Sequence, residues 1–140
     1  QRRLHKRFVK NAGSNLKRAV GSSAMIVRGE AVSSILSGNK SGQTYRLYNP
    51  NRTHTASAAG QAPASDTGTL ASGISIDVDV ERNAVVGKII AYADDGSGDN
   101  YAKHLEFGTQ NMSARPFMQP ALRKSRRKIN QIFKRGGVIR

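Results

Sequence analysis

The chain has 140 residues, 37% hydrophobic and 23% charged, with 23 Lys and Arg against nine Asp and Glu and a formal net charge of +14. That length suits one domain rather than two, and the absence of cysteine excludes disulfide staples, thiolate metal sites and cysteine nucleophiles together. Apolar runs are short, as at Ala24-Met25-Ile26-Val27, where a membrane span needs ~20 apolar residues. The basic start, Gln1 to Lys10, lacks the apolar core and cleavage site of a secretory signal, so a soluble protein is expected.

Aromatics make up 6% and Trp is absent. The core must then be built from Ile, Val, Leu and Ala and be small for the length, with partners supplying part of the burial. The charge is segregated. Residues 1–28 hold eight basic residues and residues 111–140 hold nine, neither with an acid, while the middle holds six bases against nine acids. Acid-free ends suggest that the terminal segments face something anionic.

In chain order, Leu4, Phe8, Ala12, Leu16, Val20, Ala24, Val27, Ala31 and Ile35 fall at steps of three or four and predict a helix from Arg2 to Leu36. At ~1.5 Å per residue it would be roughly 50 Å long, with room for a break at Gly13, Gly21 or Gly29. Thr44 to Tyr48 and residues 52–57 read as a polar, exposed hairpin turning at Asn49-Pro50-Asn51. Residues 56–66 read as a loop and 67–72 as one helical turn. Ile74, Ile76, Val78 and Val80 alternate with Ser75, Asp77, Asp79 and Glu81 in the clearest half-buried strand. Its antiparallel partner is expected over 84–93. A turn-rich stretch, 94–100, leads to a short helix from Tyr101 to Phe107. The last helix is expected over about 118–135, with Pro120 in its first turn, a stripe of Met118, Leu122, Ser125, Ile129 and Ile132, and Gly136-Gly137 after it. The fold class is α+β: a long N-terminal helix, a small antiparallel β-sheet, a short helix and a basic C-terminal helix, in a single domain.

Catalytic and metal-binding signatures do not emerge. Asp94 to Asn100 has acids and glycines but not the alternate-ligand spacing of a calcium loop. His5, His54 and His104 stand apart, without a second ligand at a metal spacing. There is no G-x-S-x-G elbow and no phosphate-binding G-x-x-x-x-G-K-[ST]. No enzyme, cofactor or metal is therefore expected. Phosphate neutralisation is chemistry that an unpaired Lys and Arg surface performs well, and any contact with DNA would be to the backbone without sequence reading.

Two blocks carry a resemblance. Ala56-Ser57-Ala58-Ala59-Gly60-Gln61-Ala62-Pro63-Ala64-Ser65-Asp66-Thr67-Gly68-Thr69-Leu70, followed by Ile74, is similar to the "A-S-x-x-G-x-x-P-A-x-D-T-G-x-L" stretch of the tail-component or tail-completion family of neck proteins in long-tailed bacteriophages. Tyr101-Ala102-Lys103-His104-Leu105-Glu106-Phe107-Gly108-Thr109, then Ala114-Arg115-Pro116-Phe117 and Pro120-Ala121, resembles that family's "Y-A-x-x-x-E-F-G-T" leading into "A-R-P-F-x-x-P-A". Thr69 and Ala71 stand where the family often has basic residues, and Ile74 to Tyr92 matches only in pattern. On physical grounds Gly68 and Gly108 mark sharp turns, and Pro63, Pro116 and Pro120 fix the approach to the following elements. Phe107 and Phe117 are expected to pin both ends of their loop to the core, and Glu106 to pair with Arg115 across it.

The resemblance implies a virion protein at the head-to-tail joint, made in the host bacterial cytoplasm. It would form a six- or twelve-fold homo-oligomeric ring that joins head connector to tail tube or completes the tail for head attachment. Its motif residues, Gly60, Pro63, Asp66, Thr67, Gly68, Leu70, Tyr101, Glu106, Phe107, Gly108, Thr109, Arg115, Pro116, Phe117 and Pro120, are candidates for subunit contacts. Arg2, Arg3, Lys6, Arg7, Arg123, Lys124, Arg126, Arg127, Lys128 and Lys134 are candidates for contact with channel DNA or with other neck and tail proteins. The alternative is a nonspecific DNA-binding or packaging-associated phage protein.

Overall fold

The computed structural model describes residues 2–37, 39–82, 84–94 and 96–138, with side chains from Gly13 onward. Helix α1 (Arg2–Leu36) is continuous through Gly13, Gly21 and Gly29. One-sided burial of Ala19, Ala24, Val27, Ala31 and Ile35 holds it and offsets the ~1 kcal/mol that each glycine costs relative to Ala. The stripe read from the sequence is thus the buried one from Ala24 onward, with Leu16 and Val20 half-buried.

Two antiparallel hairpins follow. Strands β1 (Thr44–Tyr48) and β2 (Asn51–Thr55) pair from Thr44↔Thr55 to Tyr48↔Asn51. Strands β3 (Ile74–Val80) and β4 (Val85–Ala91) pair from Ile74↔Ala91 to Val80↔Val85. They form two separate two-stranded sheets rather than one. The first hairpin is polar and largely exposed, with Tyr45 and Tyr48 open to solvent. Between the hairpins lies α2 (Thr69–Ser72), a single turn entered through Gly68 at φ 83°. The β3–β4 register puts Ile74, Ile76 and Val78 opposite Ala91, Ile89 and Gly87 on the face toward α1. Gly87 lies directly on the helix: a Cβ there would stand 2.8 Å from the Val20 side chain. Ser75, Asp77 and Lys88 occupy the other face and are exposed.

Helix α3 (Tyr101–Phe107) and helix α4 (Met118–Arg135) complete the chain. Helix α4 runs antiparallel to α1: Lys124 pairs with Glu30 at 3.2 Å, and Arg135 shares a depression with Arg18 nearer the start of α1. The face of α4 turned inward carries Ala121 and Ser125, both buried, then half-buried Ile129, Ile132 and Phe133. Leu122, expected in this stripe, is instead 48% exposed. Ala121 takes the inward position one residue earlier, about 100° around the helix. Small residues let the two helices approach closely, although the Ser125 hydroxyl is buried without a hydrogen-bond partner among the described residues.

Among the described residues the core is one cluster: Val27, Ala31 and Ile35 from α1, Leu70 and Ala71 from α2, Ile74, Ala93, Ala102, Phe117 and Ala121. Half of these are alanines, so the cluster is small, as the composition implies. Phe117, at 1% exposure, is its largest member. Among the described residues no helix is long and apolar enough to cross a membrane.

Candidate functional site

The 101–121 block forms a corner in which each turn has a specific partner. Asn100 caps α3: its side-chain oxygen accepts from the N–H groups of Ala93 at 3.0 Å and Ala102 at 3.2 Å, while its Nδ2 donates to the Ala91 carbonyl at 3.1 Å. One amide therefore fastens α3 to the end of β4. Gly108 ends α3 at φ 76°. A side chain there would be strained, and its Cβ would stand 2.8 Å from the Met112 carbonyl oxygen. Arg115 N–H returns to the Leu105 carbonyl at 2.7 Å.

The Glu106 carboxylate then meets the start of α4. It accepts from the main-chain N–H of Phe117 at 2.8 Å, Met118 at 2.9 Å and Gln119 at 3.0 Å. A helix begins with four N–H groups lacking internal partners. Here Glu106 takes three and the fourth position is Pro120, which has no N–H. The carboxylate also sits at the end of the helix dipole that favours negative charge. The expected Glu106–Arg115 pair is therefore not formed. Phe117, as N-cap residue, has no side-chain acceptor to offer, so the main-chain donors recruit the carboxylate and Arg115 goes elsewhere. The expectation for Phe107 is corrected too: it is 77% exposed while Phe117 alone enters the core.

The other signature block meets this corner. Arg115 Nε donates to the Ser57 carbonyl at 3.1 Å, and Gly60 N–H to the Ala114 carbonyl at 2.9 Å. Pro63 and Leu70 are buried; Tyr101 and Pro116 are half-buried; Thr67 and Thr109 are exposed. Gly60 turns at φ 77°. Asp66 forms an ion pair with Arg52 and stands 3.8 Å from His54 Nδ1, joining the loop to strand β2. Lys40 Nζ donates to the Ala62 carbonyl at 2.8 Å and the Ser34 carbonyl at 2.9 Å, and its partial burial lowers its pKa. Gln61 Oε1 accepts from Ser41 and Ala58 N–H at 3.1 and 2.9 Å. A cleft of about 330 Å³ remains between the blocks, lined in part by Pro63, Asp66, Leu70, Tyr101, Leu105 and Arg115.

The cations divide into two groups. Arg28 is drawn in, its Nε donating to the Ile74 carbonyl, and Lys124 is paired with Glu30. Arg123, Arg126, Arg127, Lys128 and Lys134 are exposed on α4, and among the described residues none has a carboxylate within ion-pair distance. Near the far end of α4, Arg18 and Arg135 flank a depression of about 390 Å³ together with Asn15 and Ser22. The side chains of Arg2, Arg3, Lys6 and Arg7 lie outside the described residues. Asn100, Gln61 and Lys40 are fasteners outside the residues that the sequence singles out. An Asn immediately before a helical stretch is a recognisable cap signal, but nothing local marks the other two.

No family model, no curated protein and no solved structure matches this chain.

Proposed function

We propose that this chain is a non-enzymatic structural subunit of the neck of a long-tailed bacteriophage, a ring component that joins head connector to tail tube or completes the tail for head attachment. The supporting observation is that the two blocks resembling the neck family fold against each other. Their shared hydrogen bonds brace one corner, from which Phe107 projects. A small alanine-rich core also suits a subunit that gains further burial from its neighbours. The basic outer face of α4 then grips an acidic surface of an adjoining ring, where each exposed pair contributes only about 0–1 kcal/mol and many act together. The protein is made in the bacterial cytoplasm and works in the virion.

Mass measurement and negative-stain imaging of the purified chain, alone and with connector and tail proteins, test this reading. Rings of six or twelve copies are expected; monomers in every mixture would overturn it. A second reading, nonspecific binding of DNA phosphates, draws on the Arg18–Arg135 depression and the unpaired α4 cations. It predicts a DNA shift by the isolated chain that weakens steeply with salt.

A further inference from the structure

The β3–β4 ribbon has two open edges. The bonds Tyr92 N–H to Gly73 O and Glu81 N–H to Ala84 O flank its ladder, so by alternation Ser75, Asp77 and Asp79 exchange hydrogen bonds with Ile90, Lys88 and Val86. The main-chain groups of Ile76, Val78 and Val80 therefore point away from β4, and those of Val85, Gly87 and Ile89 away from β3. Among the described residues both edges are closed at the same end only: Arg28 takes the Ile74 carbonyl and Asn100 the Ala91 carbonyl.

Exposed apolar side chains or an apolar groove lie beside each edge. On the β3 side Val80 is 62% and Met25 64% exposed. Met25 belongs there because Gly21 lies under Val78 and Arg28 reaches Ile74, and residues 21, 25 and 28 share one helix face. On the β4 side a groove of about 610 Å³ separates the strand from the α3–α4 corner, floored by Val27 and flanked by Phe107 and Leu122. The strands are also opposite in charge: β3 carries Asp77 and Asp79, and β4 carries Lys88.

We propose that β3 of one copy adds to the free edge of β4 of the next, so that the sheet continues from subunit to subunit. The occupant is a second copy because the same chain presents both halves of the contact: a free β3 edge with Val80 and Met25, and a free β4 edge beside an apolar groove. Edge pairing supplies main-chain hydrogen bonds, and the neighbour's apolar residues cover the groove. Each Lys88 comes to lie between two acidic strands. The contact uses different surfaces on its two sides, so it is heterologous and generates a ring when the rotation closes. It deepens the ring reading and rests on it.

The cysteine-free sequence makes the test clean. Chains carrying only Ser75→Cys are mixed with chains carrying only Ile90→Cys, two exposed positions on the outer face, and treated with a short bismaleimide. The expected product joins the two kinds of chain. Rings by mass without that product would overturn the shared sheet and leave the ring reading standing. A dominant Ile90→Cys homodimer would mean a two-fold β4–β4 contact and would also overturn it. Monomers throughout would sink both readings. Val80→Pro removes no ladder bond, because that N–H points outward. It is expected to lose the ring species while the melting curve of the subunit stays close to that of the parent; rings formed as readily as by the parent would contradict the proposal.

Discussion

At the start of α4 every main-chain donor is accounted for, three on Glu106 and the fourth absent at Pro120. Along the outer face of the same helix Arg123, Arg126, Arg127, Lys128, Lys134 and Arg135 stand exposed, and among the described residues none has an ion-pair partner. The first region is held by burial and directed hydrogen bonds, whose loss is felt by the fold itself. The second does nothing for the fold that its removal would reveal, since surface charges away from such features change stability by about 0.5 kcal/mol or less. A protein that keeps an unpaired basic face beside a fully satisfied corner separates what folds it from what it offers to others.

Phe117→Ala is the largest expected break. Deleting the biggest buried side chain should destabilise the fold by roughly 3–5 kcal/mol, read as a lower midpoint in chemical denaturation. An unchanged midpoint would mean that the Arg-Pro-Phe segment is not anchored in the core. Next, Glu106→Ala should cost about 1–3 kcal/mol by leaving three donors without their acceptor, with Glu106→Gln in between because one oxygen survives. If both variants melt like the parent, water replaces the carboxylate at no cost and the corner is not braced as described.

Smaller still for stability, Arg126→Glu combined with Arg127→Glu should change the melting temperature little while impairing assembly or DNA retention. Unfolding of that variant would place the face inside the molecule and erase the contrast between the two regions. The smallest effect concerns Lys88. Its hydrogen bond to the Asp79 carboxylate, then the attraction of that charge and of Asp77, raise its pKa above the ordinary value of 10.5. A raised lysine pKa means that the pair's contribution is fully present below the unfolded value and fades as pH rises through the folded one. The stability gap between the parent and Lys88→Ala should therefore be constant at neutral pH and narrow only above 10.5. A gap that narrows near neutrality would assign it to another group.

How much of this was legible depended on distance along the chain. The bounds of α1, β3 and α3 follow from local periodicity and from glycines and caps at their ends, and the structure has them where the pattern predicts. The failures sit where one element must meet another. Phe107 and Phe117 look equivalent in sequence, yet only the second falls on the inward side once α4 lies on α1. Leu122 and Ala121 compete for one inward position, and the rotation of α4 decides for the smaller residue. The sequence marks Glu106 as a pairing residue but points to Arg115, because ion pairing can be guessed from charge alone, whereas capping requires knowing where the next helix begins. The basic face of α4 is legible in the sequence, because Lys and Arg at helical spacing with no acid among them mark an exposed side.

The antiparallel seating of α4 on α1 has a consequence for synthesis. The α3–α4 corner closes between residues 11 to 13 apart, a short loop that forms early. The Glu30–Lys124 pair joins positions near opposite ends of the chain. As the polypeptide leaves the ribosome N-terminus first, α2, β3 and β4 can cover part of the buried stripe of α1, but the part that α4 covers must wait for Phe117 and Ala121 to be translated. Until then the nascent chain exposes the α4-facing part of the apolar side of a long helix, the period in which a holding chaperone has most to protect.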